Sequence, residues 1–272
     1  NCFYIDKTSF IKEWWDNMDS VTLITRQRRF GKTLTISMLK RFFSIQYYNE
    51  SAIFEHLDIW KYPEYREIMG AYPAMERGLM TGITRVSKES LFSDFNNMEV
   101  VTTTSVKYAD VYGFTEDEVF SALDEYGLSD IKDKVKRWYD GFLFGNSKDI
   151  YNPWSIINLL DKKQLGTYWA NTSANGLIAK LIQEGDRNIK QLFETLLKGE
   201  SIVCEIDEQI IYNQLSINDN AIWSLLLASG YLTVVNYIGY GDAKLPENCM
   251  PQYELKITNY ETKLMFNELV KN

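Results

Sequence analysis

The chain has 272 residues, of which 45% are apolar, 24% charged and 14% aromatic, and its formal net charge is -8. This composition excludes a disordered chain, and the length supports a sizeable core in one large or two ordinary domains. The acidic balance argues against bulk attraction to nucleic acid or anionic lipid, yet residues 1–50 carry eight Lys/Arg against five Asp/Glu, a basic start that points to a local anion site.

Asp6-Lys7-Thr8-Ser9 supplies N-cap residues, and Phe10, Ile11, Trp14 and Trp15 follow at helical spacing. The β-branched run Val21–Thr25 predicts a buried strand. Residues 26–32 form a basic loop with one glycine. Residues 33–44 predict an amphipathic helix with Leu34, Met38, Leu39 and Phe42 on its apolar stripe. The stretch 45–75 is aromatic-rich and aperiodic, interrupted by Pro63 and Pro73, and predicts no regular element. Further strands are expected at 79–83 and 100–104. Thr115-Glu116-Asp117-Glu118 opens a helix with acids at the positive end of its dipole. Gly127 ends that helix, and another runs over 131–139. Residues 141–151 predict a hairpin, and Asn152-Pro153 caps the next helix with proline at its first position. Helical pattern continues to about residue 198. A strand at 201–206, a helix at 219–228, strands at 231–237 and 252–257 and a final helix from Tyr260 follow. Helix then two-stranded hairpin is similar to a winged helix.

Residues 221–241 carry no charge and reach the length of a membrane span. Ser224, Ser229-Gly230, Thr233 and Asn236 interrupt them, and the period changes from helical to strand-like, so a buried helix, turn and strand is expected and no membrane partner. The opening residues lack the basic and apolar regions of a signal peptide. Cys2, Cys204 and Cys249 have no metal-ligand spacing and cannot all pair, which fits a reducing, cytoplasmic setting. His56 is the sole histidine; it excludes a His-rich zinc site and fits a structural or surface role.

Gly31-Lys32-Thr33 lies between the 21–25 strand and an amphipathic helix, the context a phosphate-binding loop requires. Backbone N–H groups at the helix N-terminus face an anion, lysine reaches the β/γ-phosphates, and the threonine hydroxyl can ligate Mg²⁺. Arg26 stands where G-x-x-x-x-G-K-[ST] has its first glycine, so it must hold the turn without positive φ. Arg28 and Arg29 add two cations. A solvated basic loop before an ordinary helix is the alternative.

The stretches Tyr4-Ile5-Asp6-Lys7-Thr8, Thr25-Arg26-Gln27-Arg28-Arg29-Phe30-Gly31-Lys32-Thr33, a T-G-I-T-R-V-S-K-E-S run at 81–90, F-S-D-F-N-N at 92–97, Y-G-F-T-E at 112–116, Trp138-Tyr139-Asp140-Gly141, Tyr151-Asn152-Pro153-Trp154-Ser155 and Y-W-A-N-T-S at 168–173 resemble the bacterial AAA-ATPase-like family. The resemblance runs in order from about residue 4 to 175. In this family R-x-R-R-F-G-K-[ST] is the usual loop, so Arg26 is regular there. It implies an α/β fold: a P-loop NTPase domain over 1–110, a helical lid over 111–198 and a winged-helix-like domain over 199–272. It also implies ATP and Mg²⁺ as cofactors, with Lys32 stabilising phosphate charge and Thr33 holding the metal. The backbone of Arg26, Arg28, Arg29, Phe30 and Gly31 would cradle phosphates. Pro153 would pack on the base, and Arg85 would serve as a sensor or finger. Full-length members often carry a C-terminal PD-(D/E)xK-type nuclease domain, which is expected to be absent here. The apolar strand ending in Asp-Glu that members place before T-G-I-T-R is not found in 45–80, so residues are expected to be missing near 73–75. Mg·ATP binding with hydrolysis driving lid movement is the expected function, and hydrolysis is expected to be weak if that acidic strand is absent.

A non-hydrolysing module that uses nucleotide to engage a protein partner or a second copy is the first rival. The second is a nucleic-acid protein. Glu254-Leu255-Lys256 with Asp242 upstream has nuclease-like spacing, although alternation in 253–257 is what a half-exposed strand shows. The recognition-helix candidate 216–228 has no Lys or Arg, which disfavours nucleic acid. Trp138 and Tyr139 read either as a ligand platform or as core.

Overall fold

The computed structural model describes residues 3–72, 77–83, 98–172, 176–207, 219–245 and 247–271. The expected loss of chain near 73–75 lies outside these residues.

The Asp6-Lys7-Thr8 run is a knot of short-range bonds. Asp6 Oδ1 accepts from Thr8 N at 2.8 Å and Thr8 Oγ1 at 2.7 Å, and its Oδ2 accepts from Asp58 N at 2.6 Å. Thr8 Oγ1 in turn accepts from Ile59 N at 3.1 Å. This ties the start of α1 (Ser9–Asp16) to the aperiodic 45–62 region. Phe10, Ile11 and Trp14 of α1 are buried at helical spacing.

Next, β1 (Val21–Thr25) feeds α2 (Lys32–Phe43) through the basic loop. The buried face of α2 is Thr35, Leu39 and Phe42, and Leu34, expected on the apolar stripe, is 63% exposed. Spacings of four and three residues put Thr35, Leu39 and Phe42 on one side, one position round from Leu34. Three 3-10 turns and the short α3 (Pro63–Ile68) fill the aperiodic region. Then β2 (Gly78–Gly82) and β3 (Met98–Val101) flank β1 in a parallel sheet of order β2-β1-β3. The strand expected over 100–104 ends at Val101, because Thr102 N turns to donate to Ser105 Oγ at 2.9 Å.

The middle of the chain builds a second sheet. β4 (Phe114–Thr115) leads into α4 (Glu116–Glu125), whose N-terminus is closed by a reciprocal box between Thr115 and Glu118. α5 (Lys132–Tyr139), β5 (Phe142–Phe144) and β6 (Ser147–Tyr151) follow, and the strand order is β4-β6-β5, all antiparallel. Asn152 caps α6 (Pro153–Lys162) by accepting from Trp154 N and Ser155 N. α7 (Gly176–Glu184) and α8 (Arg187–Lys198) come next, the latter capped by Asp186 and ended by Gly199 at φ 94°.

The last segment holds β7 (Ile202–Glu205), α9 (Asp219–Ala228), β8 (Leu232–Ile238), β9 (Gln252–Ile257) and α10 (Tyr260–Lys271), with sheet order β7-β9-β8. The described residues are mixed α/β with three small sheets. One buried cluster runs from Phe10 and Ile24 through Phe142 and Trp169 to Leu255 and Phe266. A second, around Val119, Leu123, Val135, Tyr139 and Ile156, seals α4, α5 and α6 together. Among the described residues no helix is long and apolar enough to cross a membrane.

Candidate functional site

Residues 26–31 leave the carboxyl end of the central parallel strand, where open α/β sheets bind ligands. Both neighbouring strands reach the same place. Arg26 N donates to Gly82 O at 3.0 Å, and Thr25 Oγ1 donates to Val101 O at 3.3 Å. Arg26 holds this turn without positive φ, and two later residues take the left-handed conformation: Arg29 at φ 66° and Gly31 at φ 82°. A Cβ on Gly31 would meet nothing within 4 Å, so glycine is needed there for backbone conformation and not for space.

Gly31 begins α2 with no side-chain cap, and the first turn holds no acidic residue. The N–H groups of that turn, with the positive end of the dipole, are left for a ligand. Lys32 folds back over the loop, its Nζ donating to Arg26 O at 2.9 Å and Gln27 O at 2.6 Å. Burial first, then Arg28 and Arg26, pulls its ammonium down to about 8. Among the described residues no carboxylate forms an ion pair with Lys32, Arg28 or Arg29. Gly31 and Thr33 are exposed. The arrangement is a cluster of cations that no carboxylate pairs with among the described residues.

The loop residues divide by role. Arg26 is 0% exposed, and its guanidinium donates to Thr25 O at 2.9 Å, Thr102 O at 2.7 Å and Tyr108 O at 3.1 Å while stacking on Phe144 at 4.7 Å. Burial draws that guanidinium down to about 10. Its side chain is a structural clamp, and only its backbone belongs to the cradle. Phe30 is likewise core, edge-on to Phe142 and Phe144. Arg29 is exposed and lies over the Trp154 ring at 4.4 Å. Pro153, half-buried at the first position of α6, stands beside Asn152, whose Nδ2 donates to Arg28 O at 3.4 Å. Structure therefore brings Lys32, Thr33, Arg28, Arg29 and the Pro153 turn around one loop. Arg85 lies outside the described residues.

Sequence reasoning missed two residues here. Trp169 Nε1 donates to the Arg28 carbonyl at 3.0 Å, and Glu261, on the first turn of α10, accepts from the Trp169 backbone N–H at 2.6 Å. Trp169 lay inside a motif already noted, but its donor gave no local signal. Glu261 sits in the polar stretch Thr258-Asn259-Tyr260-Glu261-Thr262-Lys263, which carries no motif.

The remaining candidates separate from this site. Asp242 accepts from its own loop at Lys244 N, and Glu254 accepts from Ser201 Oγ, while Lys256 is exposed. Tyr139 is core, exchanging hydrogen bonds with Gly166, and half-buried Trp138 packs on Tyr260 at 5.1 Å. His56 is exposed. Asp58 is paired with Lys61 and Glu64 is exposed. Glu116, Asp140 and Asp149 approach within 4.8 Å of one another, with Lys136 bonded to Glu116 and 3.5 Å from Asp149.

Residues 1–98 match a family model described as a predicted AAA-ATPase, AAA-ATPase-like. Over those residues, about a third of its length, the chain is similar to that family. A relative is the uncharacterized protein in the vnfD 5' region of Azotobacter chroococcum mcd 1, 26% identical over 194 residues. The match covers 70% of this chain and 33% of that protein, so it spans a third of the relative's length. No solved structure matches.

Proposed function

We propose that the chain binds ATP on the 26–33 loop, with the triphosphate on the α2 N-terminus and Lys32, and with the base against the Pro153 turn. The observation that carries this is the uncapped start of α2 beside a half-buried lysine that no carboxylate pairs with among the described residues. Desolvating a lysine costs free energy, and an anion that restores its charged form recovers that cost. On this reading 1–110 is a P-loop domain, 111–198 a helical lid and 199–272 a winged-helix-like unit.

The fit to Mg²⁺ is partial. Thr33 offers an exposed hydroxyl, but in the 45–80 interval, where the resemblance implies a metal-binding acid, Asp58 is engaged with Lys61 and Glu64 is turned to solvent. Phosphoryl transfer needs a second acidic anchor and a positioned water. Without them binding survives and turnover falls by about 10²–10³. The reading of a nucleotide-dependent module that engages a protein partner or a second copy therefore stands beside the ATPase reading. Nucleic acid is disfavoured, since α9 carries Asp219 and no Lys or Arg. The test is calorimetric titration with Mg·ATP beside a phosphate-release assay, both repeated on Lys32→Ala. Expected are binding lost in the variant and little release by either protein. Equal affinity in the two would remove the phosphate-loop assignment.

A further inference from the structure

The 26–31 loop is joined to the C-terminal helix by a path of hydrogen bonds through one indole. Trp169 is 1% exposed, and its Nε1 donates to Arg28 O at 3.0 Å. Arg28 O lies in the turn whose neighbouring carbonyls, Arg26 O and Gln27 O, hold Lys32 Nζ. Behind Trp169 stands Glu261, itself 1% exposed. One of its carboxylate oxygens accepts from Trp169 N at 2.6 Å and Ala170 N at 3.2 Å, and the other from Ser155 Oγ at 2.8 Å. No cation pairs with this carboxylate among the described residues.

A buried carboxylate lacking a cation is an expensive way to hold a turn. Here it joins three segments that are distant in sequence: α10, the 169–172 turn and the α6 N-terminus. Each of the last two also reaches the same acceptor, because Asn152 Nδ2 donates to Arg28 O as well. The indole cannot shift without losing its packing, being edge-on to Phe142 at 5.5 Å and against Tyr231 at 5.4 Å. Tyr231 itself belongs to the C-terminal segment.

We infer that Glu261 and Trp169 are positioning residues for the phosphate site, so that the seating of α10 regulates nucleotide affinity through the orientation of the Arg28 peptide. This rests on the nucleotide reading proposed above. The coupling is reciprocal: nucleotide must steady α10 to the same degree that α10 favours nucleotide.

The experiment is Mg·ATP titration of the full chain as wild type, Lys32→Ala, Trp169→Phe, Glu261→Ala and Glu261→Gln, each with its thermal melt. Trp169→Phe keeps an aromatic ring but removes the indole N–H donor together with part of the ring's buried volume. Losing one hydrogen bond near 1 kcal/mol weakens binding about fivefold, while the lost ring volume lowers the melt, which is why affinity is read well below the transition. Glu261→Ala should weaken it further. Glu261→Gln should recover most of the affinity, because its amide oxygen can accept both backbone N–H groups while its NH₂ donates to Ser155. Hydrogen exchange at the Trp169 and Ala170 amides should slow on adding nucleotide to wild type and not to Lys32→Ala. Wild-type affinity in Trp169→Phe would overturn the inference while leaving the nucleotide reading intact. So would a loss in Glu261→Gln equal to that in Glu261→Ala, which would place the effect in charge instead of geometry. Absence of binding by wild type would instead remove the nucleotide reading itself. If Glu261→Ala fails to fold, the Trp169→Phe result alone decides.

Discussion

Lys32 holds its charge against its surroundings, and pH exposes that tension. Its folded value near 8 lies below the usual lysine range of about 10.4. Between the two the unfolded chain binds more protons, so the free protein gains stability as pH rises from about 8 to about 10. Bound phosphate reverses the preference by favouring the ammonium. Nucleotide affinity should therefore fall by up to tenfold per pH unit above about 8. Calorimetry in buffers of different ionisation enthalpy should show proton uptake on binding at about pH 8.5 and almost none at about pH 6.5. A flat affinity profile across that range would mean that Lys32 does not touch the ligand. Arg26 shows the opposite use of a cation. It is spent on carbonyls 76 and 82 residues downstream, which is why no local pattern reveals its role. Arg26→Met removes the guanidinium donor from those carbonyls and should destabilise the fold by about 3 kcal/mol in urea unfolding. The strand, turn and helix around Gly31, Lys32 and Thr33 were legible because each is set by local pattern. Trp169 and Glu261 were not, because they act on the loop from more than a hundred residues away in the chain.

Elements that carry their own punctuation fall where the sequence places them. Thr115 and Glu118 cap α4, Asn152 caps α6, and β9 and α10 occupy 252–257 and 260–271. The two-residue β4 was invisible, because Phe114 and Thr115 are strand only by pairing with Tyr151 and Ile150. The capping box makes a direct prediction: Thr115→Ala should cost about 1 kcal/mol, read as a lower urea midpoint at unchanged slope. The β5–β6 hairpin makes another. Asp149 sits at φ 54°, and its charge adds to burial in pushing the Asp140 carboxyl up to about 6. Above that pH both carry charge and repel; as pH falls from 6 toward the ordinary value of 3.8 the folded state takes up the proton first and gains stability. Asp149→Asn removes the repulsion and tolerates the left-handed backbone, while Lys136 keeps Glu116 as partner. Solvent screens these half-exposed groups, so the gain at neutral pH should be about 1 kcal/mol. It should fade toward about pH 5 as Asp140 is protonated. A gain independent of pH would assign it to backbone strain alone.

At the scale of the molecule, the order of strands and helices could be read from period and punctuation, but the way the last seventy or so residues close on the first could not. That closure depends on contacts such as Gly230, at φ 86°, where a Cβ would come within 2.5 Å of Gln27 Cγ in the basic loop. Its consequence is a single buried cluster containing Phe10 and Ile24 from the start, Phe142 and Trp169 from the middle, and Tyr231, Leu255 and Phe266 from the end. Each large apolar side chain returned to water costs about 1.5–3 kcal/mol. The whole fold is worth only about 5–15 kcal/mol, so losing the C-terminal members of this cluster exceeds what the remainder can supply. The three segments should then unfold together despite their separate sheets. Tryptophan fluorescence and far-ultraviolet circular dichroism should trace one coincident urea transition, and nucleotide should shift it as a unit by RT ln(1 + [L]/Kd). A chain ending at residue 198 should lack fixed tertiary structure, with little near-ultraviolet dichroism and with exposed apolar surface that binds dye. Two separated transitions in the full chain, or a well-folded 1–198 fragment that binds ATP as tightly as the whole, would show that the shared core is dispensable. The Glu261 and Trp169 path would then have no purchase on the phosphate loop.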